Sequence, residues 1–182
     1  MVYLFLADGF EEIEALTQVD YLKRAEIDVK MVGVTGEYIL GAHGIQVKSD
    51  IGIDDVEYTG DVKMLILPGG LKGMQNLWEN KKVISMVEGA YADGKYVAAI
   101  CASPTIFAKM GILKGKKATC YPDMQDELVQ NGAKVKDESV VSDGNIITAR
   151  AAGASEEFAF ELIKVLKGKE QAEKVGKSIC AR

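Results

Sequence analysis

The chain has 182 residues, is 48% apolar and carries a net charge of −5, which suits one globular domain spanning residues 1–182 with a substantial core. No basic stripe is present for a phosphate backbone and no apolar run approaches a membrane span, so the composition argues against nucleic acid and membrane partners. Its three cysteines, Cys101, Cys120 and Cys180, lack the paired spacing of a disulfide framework or zinc knuckle and point to a reducing cytoplasm.

In chain order, VYLFL at 2–6 reads as a first strand, and the absence of a basic stretch before it argues against a secretory signal. EEIEALTQVDYLKRAE follows as a helix, with Asp8 as the expected N-cap, Glu11 three residues on, and Ile13, Leu16, Val19 or Asp20, and Leu22 near one stripe. Further strands are expected at 29–34, 62–68, 96–100 and 145–149, and further helices at 80–93, 103–110 and 155–168. The stretches 38–49 and 133–142 read as short antiparallel hairpin pieces at the edges. The strand runs are continuously apolar, as in parallel strands buried on both faces, and their alternation with helices predicts a doubly wound, mostly parallel α/β sheet. There is no internal repeat, low-complexity tract or flexible linker.

Phosphate and metal sites find little support. PGGLKG at 68–73 lacks the spacing of a dinucleotide fingerprint, and VGKS at 175–178 has Gln171 where a Walker motif needs its leading glycine. One histidine, His43, and three dispersed cysteines offer no ligand pair at usable spacing, so neither metal nor cofactor is expected.

Cys101 ends the YVAAI strand just before a helix beginning near Ser103 and Pro104, at the edge where open α/β sheets bind ligands. Small neighbours, Ala99, Ala102 and Ser103, suit a sharp nucleophile elbow, and a helix N-terminus is expected to lower the thiol pKa. The residues alone leave this cysteine open between a nucleophile and a buried core thiol. Glu14 is open in the same way: a solvated helix acid, or a desolvated carboxyl with a raised pKa that shares a proton at the sheet edge.

Taken together, ADGFEEIE after the first strand, LPGG after the third, AAICASPT at the elbow and ITARAAGASEEFAFEL near the end resemble the ThiJ/PfpI superfamily, closest to its Parkinson disease protein seven (protein deglycase) branch. The resemblance implies a flavodoxin-like homodimer with a reactive Cys101 and a proton-sharing Glu14. It also implies an anion pocket whose backbone donors come from Gly70 and Ala102, with Gly69 and Gly70 letting the chain approach closely. Protease-type members carry a histidine directly after the cysteine, and Ala102 stands there instead. Tyr121 occupies the place of a pocket histidine found in some members, and with an ordinary pKa of about 10 it is a poor base. His43 aligns with a segment near the partner's cysteine across the dimer interface. The turn at 149–153, with Arg150, departs from the Gly-Pro-Gly of relatives, and Arg150, Cys120, Tyr121 and His43 are candidate pocket lining; Cys180 is read as incidental.

The implied activity is glyoxalase or deglycase chemistry on small 2-oxoaldehydes such as methylglyoxal, giving lactate without a cofactor. The alternative is an oxidative-stress sensor or redox-regulated chaperone acting through sulfinic oxidation of Cys101. A cysteine peptidase fits less well.

Overall fold

The fold was described from a computed structural model covering residues 1–181. In chain order its elements are β1 (Val2–Leu6), α1 (Glu12–Arg24), β2 (Val29–Gly33), β3 (Tyr38–Leu40), β4 (Gln46–Lys48), β5 (Ile51–Gly52), β6 (Met64–Leu67), α2 (Leu71–Glu79) and α3 (Lys81–Ala92). They continue as β7 (Tyr96–Ile100), α4 (Pro104–Lys109), β8 (Lys117–Ala118), α5 (Gln125–Gln130), β9 (Lys134–Val135), β10 (Val140–Asp143), β11 (Ile146–Ala149), α6 (Ser155–Lys167) and α7 (Lys169–Ser178). Seven strands form one sheet in the order β10-β11-β7-β6-β1-β2-β5, parallel throughout except for the antiparallel β10–β11 pair at one edge.

Successive side chains of a strand point to opposite faces, and here both faces are apolar. Phe5, Leu65, Leu67, Val97 and Ala99 join Val83, Phe107 and Leu113 in one layer. Leu4, Leu6, Ile66, Ala98 and Ile100 join Val19, Leu22, Phe158 and Leu162 in the other. The continuous apolar runs therefore reflect a sheet with helices on both sides, as the doubly wound expectation requires. Among the described residues no helix is long and apolar enough to cross a membrane.

Local details differ from the expectations. The N-cap of α1 is Glu11, whose side chain accepts from the Glu14 N–H, while Asp8 accepts from the Leu40 N–H at 2.9 Å. The buried face of α1 carries Glu14, Ala15, Gln18, Val19 and Leu22; Ile13 is 55% exposed, Asp20 is exposed and Leu16 is half-buried. A stripe drawn through apolar residues alone misses this face, because its N-terminal end looks into a polar pocket.

The helix expected at 80–93 is α3, and α2 is an additional helix directly before it; the two join at Asn80, whose side chain accepts from the N–H groups of Lys82 and Val83 and starts α3. Helix α7 lies beyond the last helix expected, at 155–168. Hairpin β3–β4 forms its own two-stranded sheet. The 133–142 stretch is not a hairpin: β9 pairs in parallel with β8, and β10 pairs with β11 at the main sheet's edge.

Candidate active site

Strands β1, β6, β7 and β11 run parallel, so their C-terminal ends and the turns after them meet at one sheet edge, where Gly69, Cys101, Ala152 and the start of α1 converge. Cys101 leaves β7 with φ +64°, in the left-handed region that a side chain disfavours by about 1 kcal/mol or more. Its surroundings hold it there. The Cys101 N–H donates to the Ala149 carbonyl at 3.0 Å and its carbonyl accepts from the Tyr121 N–H at 2.8 Å. The next residues are clamped too: the Ser103 hydroxyl donates to the Pro68 carbonyl at 2.6 Å and the Thr105 hydroxyl to the Ala102 carbonyl at 2.7 Å. A strained turn with this support presents the thiol as a nucleophile elbow does.

Glu14 reaches the same point from α1 and is only 1% exposed. A Cβ added at Gly69 would lie 2.6 Å from the Cys101 Cβ, 3.0 Å from the Ile100 carbonyl oxygen and nearer still to the Glu14 Oε2. Carboxyl and cysteine thus face each other across a bare backbone. Gly70, at φ +88°, adopts a conformation that glycine takes without strain and begins α2.

Burial pushes the Glu14 carboxyl up to about 7, with the charge of Glu11 adding to it; the Cys101 thiol and the N–H groups of Gly69 and Ala152 pull the other way and are outweighed. Glu14 Oε2 makes no regular hydrogen bond within the chain.

Burial likewise pushes the Cys101 thiol up to about 12, helped by the charge of Glu14 and the bond to it, while the N–H groups of Gly70 and Ala102 oppose the rise. The expected lowering by a helix N-terminus is therefore not what prevails. Helix α4 has only six residues, and a half-buried thiol beside a carboxylate resists a second negative charge. The two acids titrate as a coupled pair, and the carboxyl ionises before the thiol.

The other candidates occupy different positions. His43, in the β3–β4 turn, has its side chain 69% exposed and its Nδ1 2.7 Å from the Glu12 Oε2. Its own N–H and that of Ile45 both donate to the Glu12 Oε1, at 2.7 and 3.4 Å. Burial works to raise the Glu12 carboxyl, but these bonds hold it below the usual carboxylate range, and His43 is raised in turn by its bond to Glu12. Within one chain His43 therefore secures the hairpin to α1, and its partner is Glu12 and not Cys101.

Tyr121 is 43% exposed and reaches the site through its backbone bond to Cys101. Cys120 packs in the layer of Phe107 and Leu113, whereas Cys101 packs against the other layer. Burial also pushes Cys120 up to about 12. Arg150 follows the residue that accepts the Cys101 N–H; it ion-pairs with Asp137, and its Nε is buried without a partner. Glu11 and Glu12 were not among the candidate site residues, because acids in a first helical turn ordinarily just complement the helix dipole.

A profile of the DJ-1/PfpI family matches residues 1–165. Protein dj-1beta of Drosophila melanogaster is 37% identical over 177 residues, covering 97% of this chain and 94% of the relative. A deglycase of Pyrococcus horikoshii is 33% identical over 168 residues, covering 92% and 100%. Among solved structures, Drosophila melanogaster DJ-1beta superposes with a TM-score of 0.94 at 36% identity, over 100% of this chain and 97% of that one. Oxidized Toxoplasma gondii DJ-1 does so with a TM-score of 0.93 at 32% identity, over 98% and 97%.

Proposed function

This chain belongs to the DJ-1/PfpI family, and on that premise we propose that it is a cofactor-free enzyme of the deglycase type that converts small 2-oxoaldehydes to hydroxy acids. The observation that carries this reading is the buried Glu14 carboxyl facing Cys101 across Gly69, with a pKa of about 7. A proton carrier with that pKa is loaded and unloaded at neutral pH, where general acid–base catalysis works best. Ala102 follows the cysteine and His43 pairs with Glu12, so the proton work falls to Glu14, and neither residue supports a cysteine–histidine peptidase.

With methylglyoxal, the Glu14 carboxylate takes the S–H proton as the Cys101 sulfur forms a C–S bond to the aldehyde carbon, and passes that proton to the nascent alkoxide, giving a hemithioacetal. The Glu14 carboxylate then removes the hydrogen from that carbon as a proton and returns one to the neighbouring carbonyl carbon through an enediol. The product is a thioester of lactate. Water cleaves the C–S bond, releasing lactate and restoring the thiol, so the net change is addition of one water. The N–H groups of Gly70 and Ala102, which already act on the Cys101 sulfur, favour the thiolate as it forms when the proton passes to Glu14. The same steps on glycated amines constitute deglycation.

Purified protein supplied with methylglyoxal and no glutathione should form lactate, with a rate that rises as pH passes about 7 and vanishes once Cys101 is carboxamidomethylated. Lactate formation that survives that block overturns the assignment. The expected setting is a reducing cytoplasm, as a homodimer; exposed Ile13, Leu40, Ile45 and Leu71, gathered around the hairpin and the starts of α1 and α2, offer apolar surface to a second copy.

A sensor function is the second reading, favoured by the buried Glu14 carboxyl beside a half-buried thiol. Two peroxide molecules would each transfer one oxygen to the sulfur and leave as water, and a protonated Glu14 would hydrogen-bond the sulfinate formed. Titration with peroxide followed by intact and peptide mass should then add two oxygens at Cys101 alone. Oxidation shared evenly with exposed Cys180 counts against it.

A further inference from the structure

The bonds around Glu11 reach both walls of the Cys101 pocket. Its backbone N–H donates to the Gly69 carbonyl at 3.0 Å, and its side-chain Oε2 accepts from the Glu14 N–H at 2.7 Å. A Cβ added at Gly70 would lie 2.8 Å from the Glu11 nitrogen, so the β6–α2 turn packs directly on this residue. One residue therefore ties the turn that carries Gly69 and Gly70 to the helical turn that carries Glu14. Asn, Asp or Ser would cap a helix at least as well. Capping alone does not account for a glutamate, which adds a charge 3 residues from the pocket carboxyl.

From this geometry we infer that Glu11 is a positioning residue, which fixes Glu14 over Cys101 and sets the pH at which the pair reacts. The inference rests on the reading of Cys101 and Glu14 as the reacting pair. The ionisable groups acting on Glu14 are Cys101, from the end of β7, and Glu11, from its own helix; the β6–α2 and β11–α6 turns contribute the N–H groups of Gly69 and Ala152. Glu12 and His43, one step further out, are engaged with each other, and the His43 Nδ1 is 3.9 Å from the Glu11 Oε1. Glu11 opposes ionisation of its neighbour. Its removal should let the pair lose its first proton at lower pH.

The test is the pH dependence of Cys101 alkylation by iodoacetamide, read by mass on the full chain. Glu11→Gln keeps an oxygen for the Glu14 N–H and removes the charge; it should increase the proton dissociation constant of the transition by about threefold to tenfold. Glu11→Asp keeps the charge on a shorter arm and should restore a midpoint near wild type. A Glu11→Gln midpoint equal to wild type, in protein with the wild-type urea transition, overturns the inference. So does an equal shift in both variants, which would mark a purely structural cap. Glu14→Gln separates this from the underlying reading: if it leaves the wild-type transition in place, the pairing of Cys101 with Glu14 has failed. If it removes the transition while Glu11→Gln changes nothing, only the role of Glu11 has failed.

Discussion

Glu14→Gln should lower lactate formation by about 10²- to 10⁴-fold, the usual worth of a positioned acid–base group, and should make the folded protein more stable above pH 7. The two effects share one cause. The folded pKa of Glu14 lies at about 7, above its ordinary 4.5, so between those values the native state holds a proton that the unfolded chain has released. Stability linked to this group is fully present below about 4.5 and is lost as pH rises through about 7.

Glutamine is isosteric and permanently neutral, so the variant escapes that loss. At 1% exposure solvent screening is small, and a displacement of this size corresponds to about 3 kcal/mol at most, or roughly 5–10 °C in Tm for a chain of this length. Thermal unfolding of both proteins at pH 5 and pH 8 checks it. The gap should be small at pH 5 and wide at pH 8. A gap that does not widen with pH would mean that Glu14 is ionised at no cost in the folded state, and its role as a neutral proton donor would fall with it.

The framework was legible because β1, β6, β7 and β11 are buried on both faces and so appear as unbroken apolar runs. Cys101 and Glu14 stood out as candidates for a related reason, each interrupting an apolar pattern at a C-terminal strand edge or on a helix beside it, though the residues alone left both open. Helix α2 was hidden because its first turn opens in PGGLKG, and glycines there argue for a loop until Gly70 is seen to enter the helix at φ +88°. The cap was misplaced by three residues because Asp8, with Glu11 three residues on, fits the local rule for a capping box, whereas glutamate is not a favoured cap. Only the fold-back of β3–β4, which gives Asp8 the Leu40 N–H, decides between them.

Glu12 and His43 are 31 residues apart and meet through that same fold-back; no local spacing reveals the pair. The direction of the Cys101 shift was missed for a different reason. A helix start is readable from sequence, whereas the depth of the thiol and the approach of a carboxyl are properties of packing, and these outweigh a helix of six residues.

Gly69→Ala should abolish turnover by more than about 100-fold while costing only about 1–3 kcal/mol of stability, the usual penalty for forcing one methyl into a filled space. The reason is room and not backbone freedom, since Gly69 has no left-handed φ. An added methyl meets three things: the Cys101 Cβ at 2.6 Å, the Ile100 carbonyl oxygen at 3.0 Å and the Glu14 carboxyl. The carbonyl is backbone of a central strand and Cys101 is held by bonds on both sides of its peptide, so the carboxyl is the freest of the three to move.

Displacement of Glu14 by about an ångström breaks the alignment on which proton transfer depends, and losses near 100-fold are normal for misplacement on that scale. Gly60→Ala is the control, because nothing lies within 4 Å of a Cβ there; it should keep its turnover and unfold within about 0.5 kcal/mol of wild type. Lactate assays and urea unfolding on the pair separate the outcomes. A Gly69→Ala protein that is folded but inactive locates the function in the narrow space between Cys101 and Glu14, whereas one that is folded and fully active would show that catalysis does not need their contact.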